Sequence, residues 1–247
     1  MSKLVLKNAS PMLGSLLLAS QVNKIDLGVS AEEVDVSSFA DNGWSSFLPG
    51  IRKSDVSLEG YVEIPEPDLT LDGYLADATV LPFGCTITYP PAAGDVCYFL
   101  KAVVNYMTRK AEVGKAFAMS LKLTPQEELV RGPILFNGDI DADGSTTPLD
   151  LTLTLDDTQR LWIAIWVTAA SGTTPTLDLL LESDDDSGFP SATTRITVPQ
   201  FTGVGYYIGS VDGPITPDTF YRLTADIGGT GSPSFTLIAA IGIAPIG

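Results

Sequence analysis

Asp139, Asp141 and Asp143 stand at alternate positions ahead of Gly144 and Ser145, and Asp150 closes the run. Oxygens at alternate positions can wrap a hard cation, and a glycine after the third aspartate permits the sharp turn of a calcium loop. The surroundings do not complete an EF-hand: Pro148 and the β-rich sequence after it exclude the exiting helix, and the final acid is Asp150 rather than a bidentate Glu. Two readings therefore stand for Asp139, Asp141, Asp143, Ser145 and Asp150: a calcium site, and a solvated acidic turn. A second acidic run, Glu182-Ser183-Asp184-Asp185-Asp186, reads as a solvated loop tip, with a second cation site as the alternative. The glycines at 228, 229 and 231 are not a phosphate loop, because no Lys and no helix-forming stretch follows them.

The chain has no histidine. That removes the Ser-His and Cys-His nucleophile pairs and the commonest general base. A hydrolase built on carboxylates such as Asp141 and Asp143 stays conceivable, but nothing in the sequence points to one, and the chain reads as a non-enzyme. The two cysteines, Cys85 and Cys97, flank a turn at Pro90–Asp95 and read as small buried hydrophobes or, alternatively, as a disulfide. Without histidine they make no conventional zinc site. No cofactor is expected beyond the calcium reading.

Charge is uneven. Residues 1–132 hold 11 Lys/Arg against 16 Asp/Glu, while residues 133–247 hold 3 against 14. A chain of net charge −16 repels phosphates, so nucleic acid is not a specific ligand. No apolar run reaches the roughly 18 residues that span a bilayer. Pro11 and Gly14 interrupt the apolar stretch near the start, so no secretory signal is read and a cytoplasmic site of synthesis is expected.

The elements that must carry these residues read as strands separated by Gly and Pro turns. The shift in charge places a domain boundary between residues 132 and 133, giving domains 1–132 and 133–247. In the first, strands are expected at 33–37, 54–63, 82–89, 96–107 and 114–123, with one short helix over 69–80 capped by Asp68 or Thr70. In the second, strands are expected at 149–155, 160–168, 175–182, 193–198, 204–209, 219–226 and 234–243, with turns at Ser171-Gly172 and Gly228–Gly231. The fold class is all-β: a sandwich or barrel, followed by a second β-sandwich of jelly-roll or immunoglobulin-like type. Leu161–Val167 is apolar on both faces and reads as a central strand. That removes Trp162 and Trp166 from the surface and leaves Tyr206, Tyr207 and Tyr221 undecided.

Residues 34–61 are VDVSSFADNGWSSFLPGIRKSDVSLEGY. Strand 54–63 turns Val56, Leu58, Gly60 and Val62 to one side and Asp55, Ser57, Glu59, Tyr61 and Glu63 to the other; Asp35 and Ser37 extend the polar side. The connection from Phe39 to Leu48 is far longer than an ordinary hairpin turn of about 2–5 residues and carries Phe39, Trp44 and Phe47. So much apolar surface on a loop suggests a contact arm for another subunit, with Pro49-Gly50 turning the chain back.

This stretch, with the later pair CYFLKAVVNYM and GKAFAMSLKL, resembles the major tail tube protein of long, non-contractile-tailed bacteriophages. Phe39, Gly43, Trp44, Leu48, Pro49, Gly50, Leu58 and Gly60 fall where that family places similar residues. The resemblance covers about the first half of the chain; the last third looks like β-sandwich domains appended to virion proteins. It implies a tail-tube-type domain whose hexameric rings stack into a hollow tube. Phe39, Trp44, Phe47, Leu48, Pro49 and Gly50 would make the contact between rings. Asp35, Asp55, Glu59 and Glu63 would line an acidic lumen through which DNA passes without specific binding; Lys101 and Lys122 would interrupt that wall. The implied partners are further copies of the chain and the tail terminator, tape-measure and distal tail proteins. The implied location is the virion tail, assembled in the host cytoplasm, with the second domain on the tube exterior. A carbohydrate-binding virion or surface protein acting through the second sandwich is the competing reading.

Overall fold

The computed structural model describes residues 8–35 and 47–246, and of Val34 and residues 47–51 the backbone alone. The strands are β1 (Ser10–Leu13), β2 (Leu16–Leu17), β3 (Val22–Asp35), β4 (Phe47–Tyr61), β5 (Val80–Thr86), β6 (Val96–Lys110), β7 (Ala118–Pro125), β8 (Val130–Ile140), β9 (Gly144–Ser145), β10 (Leu149–Asp150), β11 (Gln159–Asp184), β12 (Thr193–Phe201), β13 (Gly205–Asp212) and β14 (Phe220–Pro245). One helix, α1 (Asp68–Asp77), lies between β4 and β5. The chain is all-β with a single short helix among the described residues. No helix among them is long and apolar enough to cross a membrane.

Two compact units result, one of Met1–Ser20, Val80–Lys101 and Val130–Gly247, the other of Gln21–Thr79 and Ala102–Leu129. The boundary expected between residues 132 and 133 falls inside β8, so the fall in lysine content marks a change of surface charge and not a break in the chain. Gly132 sits in that strand because a Cβ there would lie 1.9 Å from the carbonyl oxygen of Ile241.

The first unit is organised by β11 and β14, which pair antiparallel from Gln159↔Pro245 to Asp184↔Phe220. The expected strands 160–168 and 175–182 are one strand, and so are 219–226 and 234–243. The turn signals between them are corners of a continuous ribbon. Register shifts fall between Val167 and Ala169, Ser171 and Thr173, and Thr173 and Thr176. Gly172 (φ 103°) and Gly229 (φ 113°) take the left-handed backbone there, and a Cβ on Gly229 would lie 2.8 Å from the Thr174 carbonyl oxygen. The corner folds the ribbon over its own apolar face: Leu161, Ile163, Ile165 and Val167 share one core with Leu177, Leu179 and Leu181. β13 and β8 flank the ribbon's first half, and β12, β9 and β10 its second. The two halves of the bent ribbon thus share one apolar core within a single antiparallel sheet. The strand expected at 149–155 shrinks to β10 and an isolated bridge, Leu155↔Ile215.

On the ribbon's other side Trp162, Ala164 and Trp166 pack with Met12, Cys97, Phe99, Val130 and Ile134. Trp166 is fully buried, its indole N–H donates to the Pro82 carbonyl at 3.2 Å, and its ring lies over Gly84. This coverage of both faces is what the apolar run Leu161–Val167 requires. Burying a ring of about 150–250 Å² at about 25 cal/mol per Å² amounts to roughly 4–6 kcal/mol of transfer free energy, an upper bound.

The second unit is a sheet in the order β3-β4-β7-β6, with the Ala102–Lys110 stretch of β6 at one end and β3 at the other. Val56, Leu58, Met119, Leu121, Leu123 and Val104 are buried. Helix α1 follows Pro67 and buries Leu71. Its opening N–H at Thr70 is met by the Glu66 carboxylate at 3.3 Å, not by Asp68. Asp68 and Asp72 instead bind Arg109 of β6, at 2.6 and 2.8 Å.

Candidate functional site

β4 alternates as its sequence does. Val56, Leu58 and Gly60 face inward, while Asp55, Glu59 and Tyr61 are exposed. β3 lies opposite, with Lys24 beside Glu59, Asp26 beside Ser57, Gly28 beside Asp55 and Ser30 beside Lys53. On the other flank Lys122 of β7 stands beside Ser57 and Ser120 beside Glu59, and β6 adds Tyr106 and Thr108. One face of the sheet is thus polar from β3 to β6.

That face is not the acidic wall expected from β4 alone. Lys24 reaches Asp26 at 2.9 Å and Glu59 at 3.0 Å, and these two carboxylates, Asp26 first, hold its ammonium above the ordinary lysine value. Lys53 pairs with Glu32, whose carboxyl is held below its ordinary value by that ammonium. Lys122 lies over the Tyr106 ring, 5.7 Å from its centre. Asp55 and Glu59 therefore sit among three lysines. Glu63, just past β4, is exposed and accepts a hydrogen bond from Gln21, while Asp35 ends β3 opposite Phe47. The other basic residue expected to interrupt the wall, Lys101, belongs to the first unit, where its ammonium lies 4.9 Å from the centre of the Trp162 ring.

Phe39 and Trp44 of the expected arm lie outside the described residues. The backbone of Phe47, Leu48, Pro49 and Gly50 belongs to β4, opposite Asp35, Val34 and Glu33, so Pro49-Gly50 does not turn the chain back. A proline is tolerated within this strand because β7 pairs with β4 only from Val56 to Tyr61, leaving one side of its earlier half without a described neighbour. From residue 28 on β3 and before residue 56 on β4, the sheet is a two-stranded ribbon. Every described side chain in that half is exposed or half-buried, Val29 at 60%. β3 has β4 as its single strand partner among the described residues.

The expected calcium ligands do not converge. Asp139 accepts from the Thr236 hydroxyl at 2.6 Å, Asp143 from the Ile227 N–H at 2.8 Å, and Asp150 from the Thr152 N–H at 2.7 Å, while the Ser145 hydroxyl meets that of Thr224. β9 spreads the segment along β14 rather than curling it, and no three acidic, Cys or His groups among the described residues are placed to hold a metal ion.

The second acidic run is only partly solvated. Asp184 is buried; burial opposes its charge, but the N–H groups of Asp186 (3.0 Å) and Ser191 (2.8 Å) outweigh that and hold its pKa below the ordinary value. Ser183 donates to Asp218 at 2.6 Å, and Arg195 binds both. Arg222 pairs with Glu182 at 2.9 Å and Arg160 with Asp212 at 2.5 Å. Beyond the scarcity of cations in this region, nothing in the sequence signals the Asp218–Arg195 pairing. Cys85 and Cys97 are buried free thiols, and burial pushes Cys85 up to about 11 and Cys97 further. Tyr221 is fully buried, Tyr206 and Tyr207 half-buried.

No protein-family model and no curated protein matches the chain. Among solved structures it is similar to a chain of the virion of a gene transfer agent particle, at 19% identity over 50% of this chain and 94% of that one, TM-score 0.42. It is also similar to a chain of the tail tube of phage SPP1, at 12% identity over 49% of this chain and 75% of that one, TM-score 0.39. A third, the Dit protein of the same phage, described as a hub adsorption apparatus, is 12% identical over 96% of this chain and 100% of its own, TM-score 0.35.

Proposed function

We propose that this chain is a non-enzymatic structural subunit of a phage-type tail, polymerising through its β3–β4–β7–β6 sheet. The observation that carries this reading is the long edge strand β3, continued with β4 as a ribbon that has no third strand among the described residues. An open edge of that length invites pairing with another chain, and a two-stranded ribbon is marginal by itself. Head-to-tail addition of β3 of one copy to the 102–110 stretch of the next is a heterologous contact, which closes into a ring when the rotation fits. Six copies is the ring size the sequence resemblance implies.

In such a ring the face bearing Lys24, Asp26, Asp55, Glu59 and Lys122 lines the channel, with Asp35 and Glu63 at its margins. Lys24, held by Asp26 and Glu59, offers phosphates little net attraction, and the chain's overall charge of −16 opposes adhesion. DNA then passes without being held. The ribbon and the connection bearing Phe39 and Trp44 meet the neighbouring ring, and terminator, tape-measure and distal tail proteins complete the virion tail, assembled in the host cytoplasm.

Electron microscopy of the purified chain over rising concentration tests the reading. Rings or tubes are expected; a chain that stays monomeric at high concentration refutes it.

A further inference from the structure

Beside the turn from β12 to β13 lies an open hollow of about 290 Å³, lined by Pro199, Gln200, Phe201, Gly205, Tyr206 and Tyr207. We propose that it binds one ring of a neutral sugar within a glycan. The volume sits at the lower end of the roughly 300–1,000 Å³ of small-molecule sites, which suits one six-membered ring and leaves the rest of an oligosaccharide outside.

The chemistry of the walls narrows the occupant. Three of the six lining residues are aromatic, and none is charged. An aromatic surface takes the C–H face of a sugar. Gly205 lets the backbone pass close to the Phe201 ring, where a Cβ would stand 3.2 Å from it. At the mouth the exposed Gln200 amide donates to Asp178 at 2.7 Å, which fixes both side chains. The amide oxygen of Gln200 and the second carboxylate oxygen of Asp178 are then acceptors for neighbouring hydroxyl groups. Asp178 also disfavours an anionic ligand such as a phosphate, a sialic acid or a lipid headgroup. A polyol with one apolar face and vicinal hydroxyls meets every one of these requirements. A proline-rich peptide needs a groove several residues long, and this hollow spans one ring.

The site is independent of polymerisation, and its test is run on the full chain. The biotinylated protein, tetramerised on streptavidin to raise avidity, is applied to an array of mono- and oligosaccharides. The affinity for the best retained glycan is then measured by titration calorimetry for wild type, Gln200→Ala and Tyr206→Ala. Retention of glycans sharing one neutral hexose or hexosamine, weakened about tenfold or more by Gln200→Ala, is expected. An empty array, retention of anionic glycans alone, or binding unchanged by Gln200→Ala overturns the proposal. Gln200 is exposed, so its variant decides the matter even if Tyr206→Ala loses its fold. A chain that fails to polymerise yet binds the glycan separates this site from the assembly reading.

Discussion

β11 and β14 form a ribbon of 26 residues per strand, and β3 and β4 one of 14 and 15. The first is apolar on both faces where it is central, bends at Gly172 and Gly229, and closes over itself. The second has register shifts between Val22 and Lys24 and between Ala31 and Glu33 but no corner, and none of the described glycines within it has a positive φ. Its far half has neither a third strand nor a covering layer among the described residues. One ribbon therefore satisfies its hydrogen-bonding edges and apolar faces within the subunit, whereas the other leaves them open among the described residues. Whether a long two-stranded ribbon closes into a core or stays open turns on whether its sequence supplies a corner and a second apolar face.

Five measurements put this contrast to the test. Trp166→Ala, at the centre of the closed ribbon, is expected to cost about 3–5 kcal/mol in urea unfolding; a loss under about 1 kcal/mol would mean that the second core does not hold the ribbon. Gly229→Val forces a branched side chain into left-handed backbone against the Thr174 carbonyl, at an expected cost of about 2–3 kcal/mol. A neutral outcome would show that the corner is not needed.

A third measurement is the melting temperature against pH. The folded pKa of Asp184 lies below its unfolded value, so its stabilisation is present above about pH 4 and is lost as pH falls through the folded value. Wild type should lose melting temperature between about pH 5 and pH 2 more steeply than Asp184→Asn; parallel curves would remove Asp184 as the cause. In the open ribbon, Val29→Asp should change stability by less than about 0.5 kcal/mol yet reduce polymerisation seen by light scattering. Normal polymers from this variant would exclude the β3 edge from the contact. The smallest effect is expected for Lys24→Gln. This exposed pair should leave the urea midpoint where it is, and a clear shift would show that the polar face stabilises the subunit itself.

Much of this was legible in the sequence, and the misses share a cause. The inward set Val56, Leu58 and Gly60 and the two-sided burial of Leu161–Val167 followed from periodicity, because that signal is local. Ser171-Gly172 and Gly228–Gly231 read as turns because the left-handed glycine needed for a reversal is also the one needed for a bend. Only the continuous pairing of β11 with β14 separates the two. The polar face read as acidic because alternation along β4 says nothing of Lys24, 35 residues away from Glu59. The calcium spacing is local in the same way: it says nothing of Thr236 and Ile227, 97 and 84 residues away, which engage Asp139 and Asp143. The domain boundary followed charge, while β1, β6, β8, β11 and β14 carry one core that includes Met12, Cys97, Phe99 and Ile134. Cutting the chain at 132 would bare that core instead of releasing a domain.

The three arginines after residue 132 have a consequence for proteolysis. Arg160, Arg195 and Arg222 are the only trypsin sites in that stretch of sequence, and each is pinned within β11, β12 or β14 by Asp212, Asp218 or Glu182. Trypsin needs a locally unfolded segment, so these bonds break only when β11, β12 or β14 comes away from the sheet. The open ribbon presents exposed Arg52 and Lys53 instead. Brief digestion of the free subunit should include a nick there, and polymerisation should erase that nick, turning a protease into a gauge of assembly.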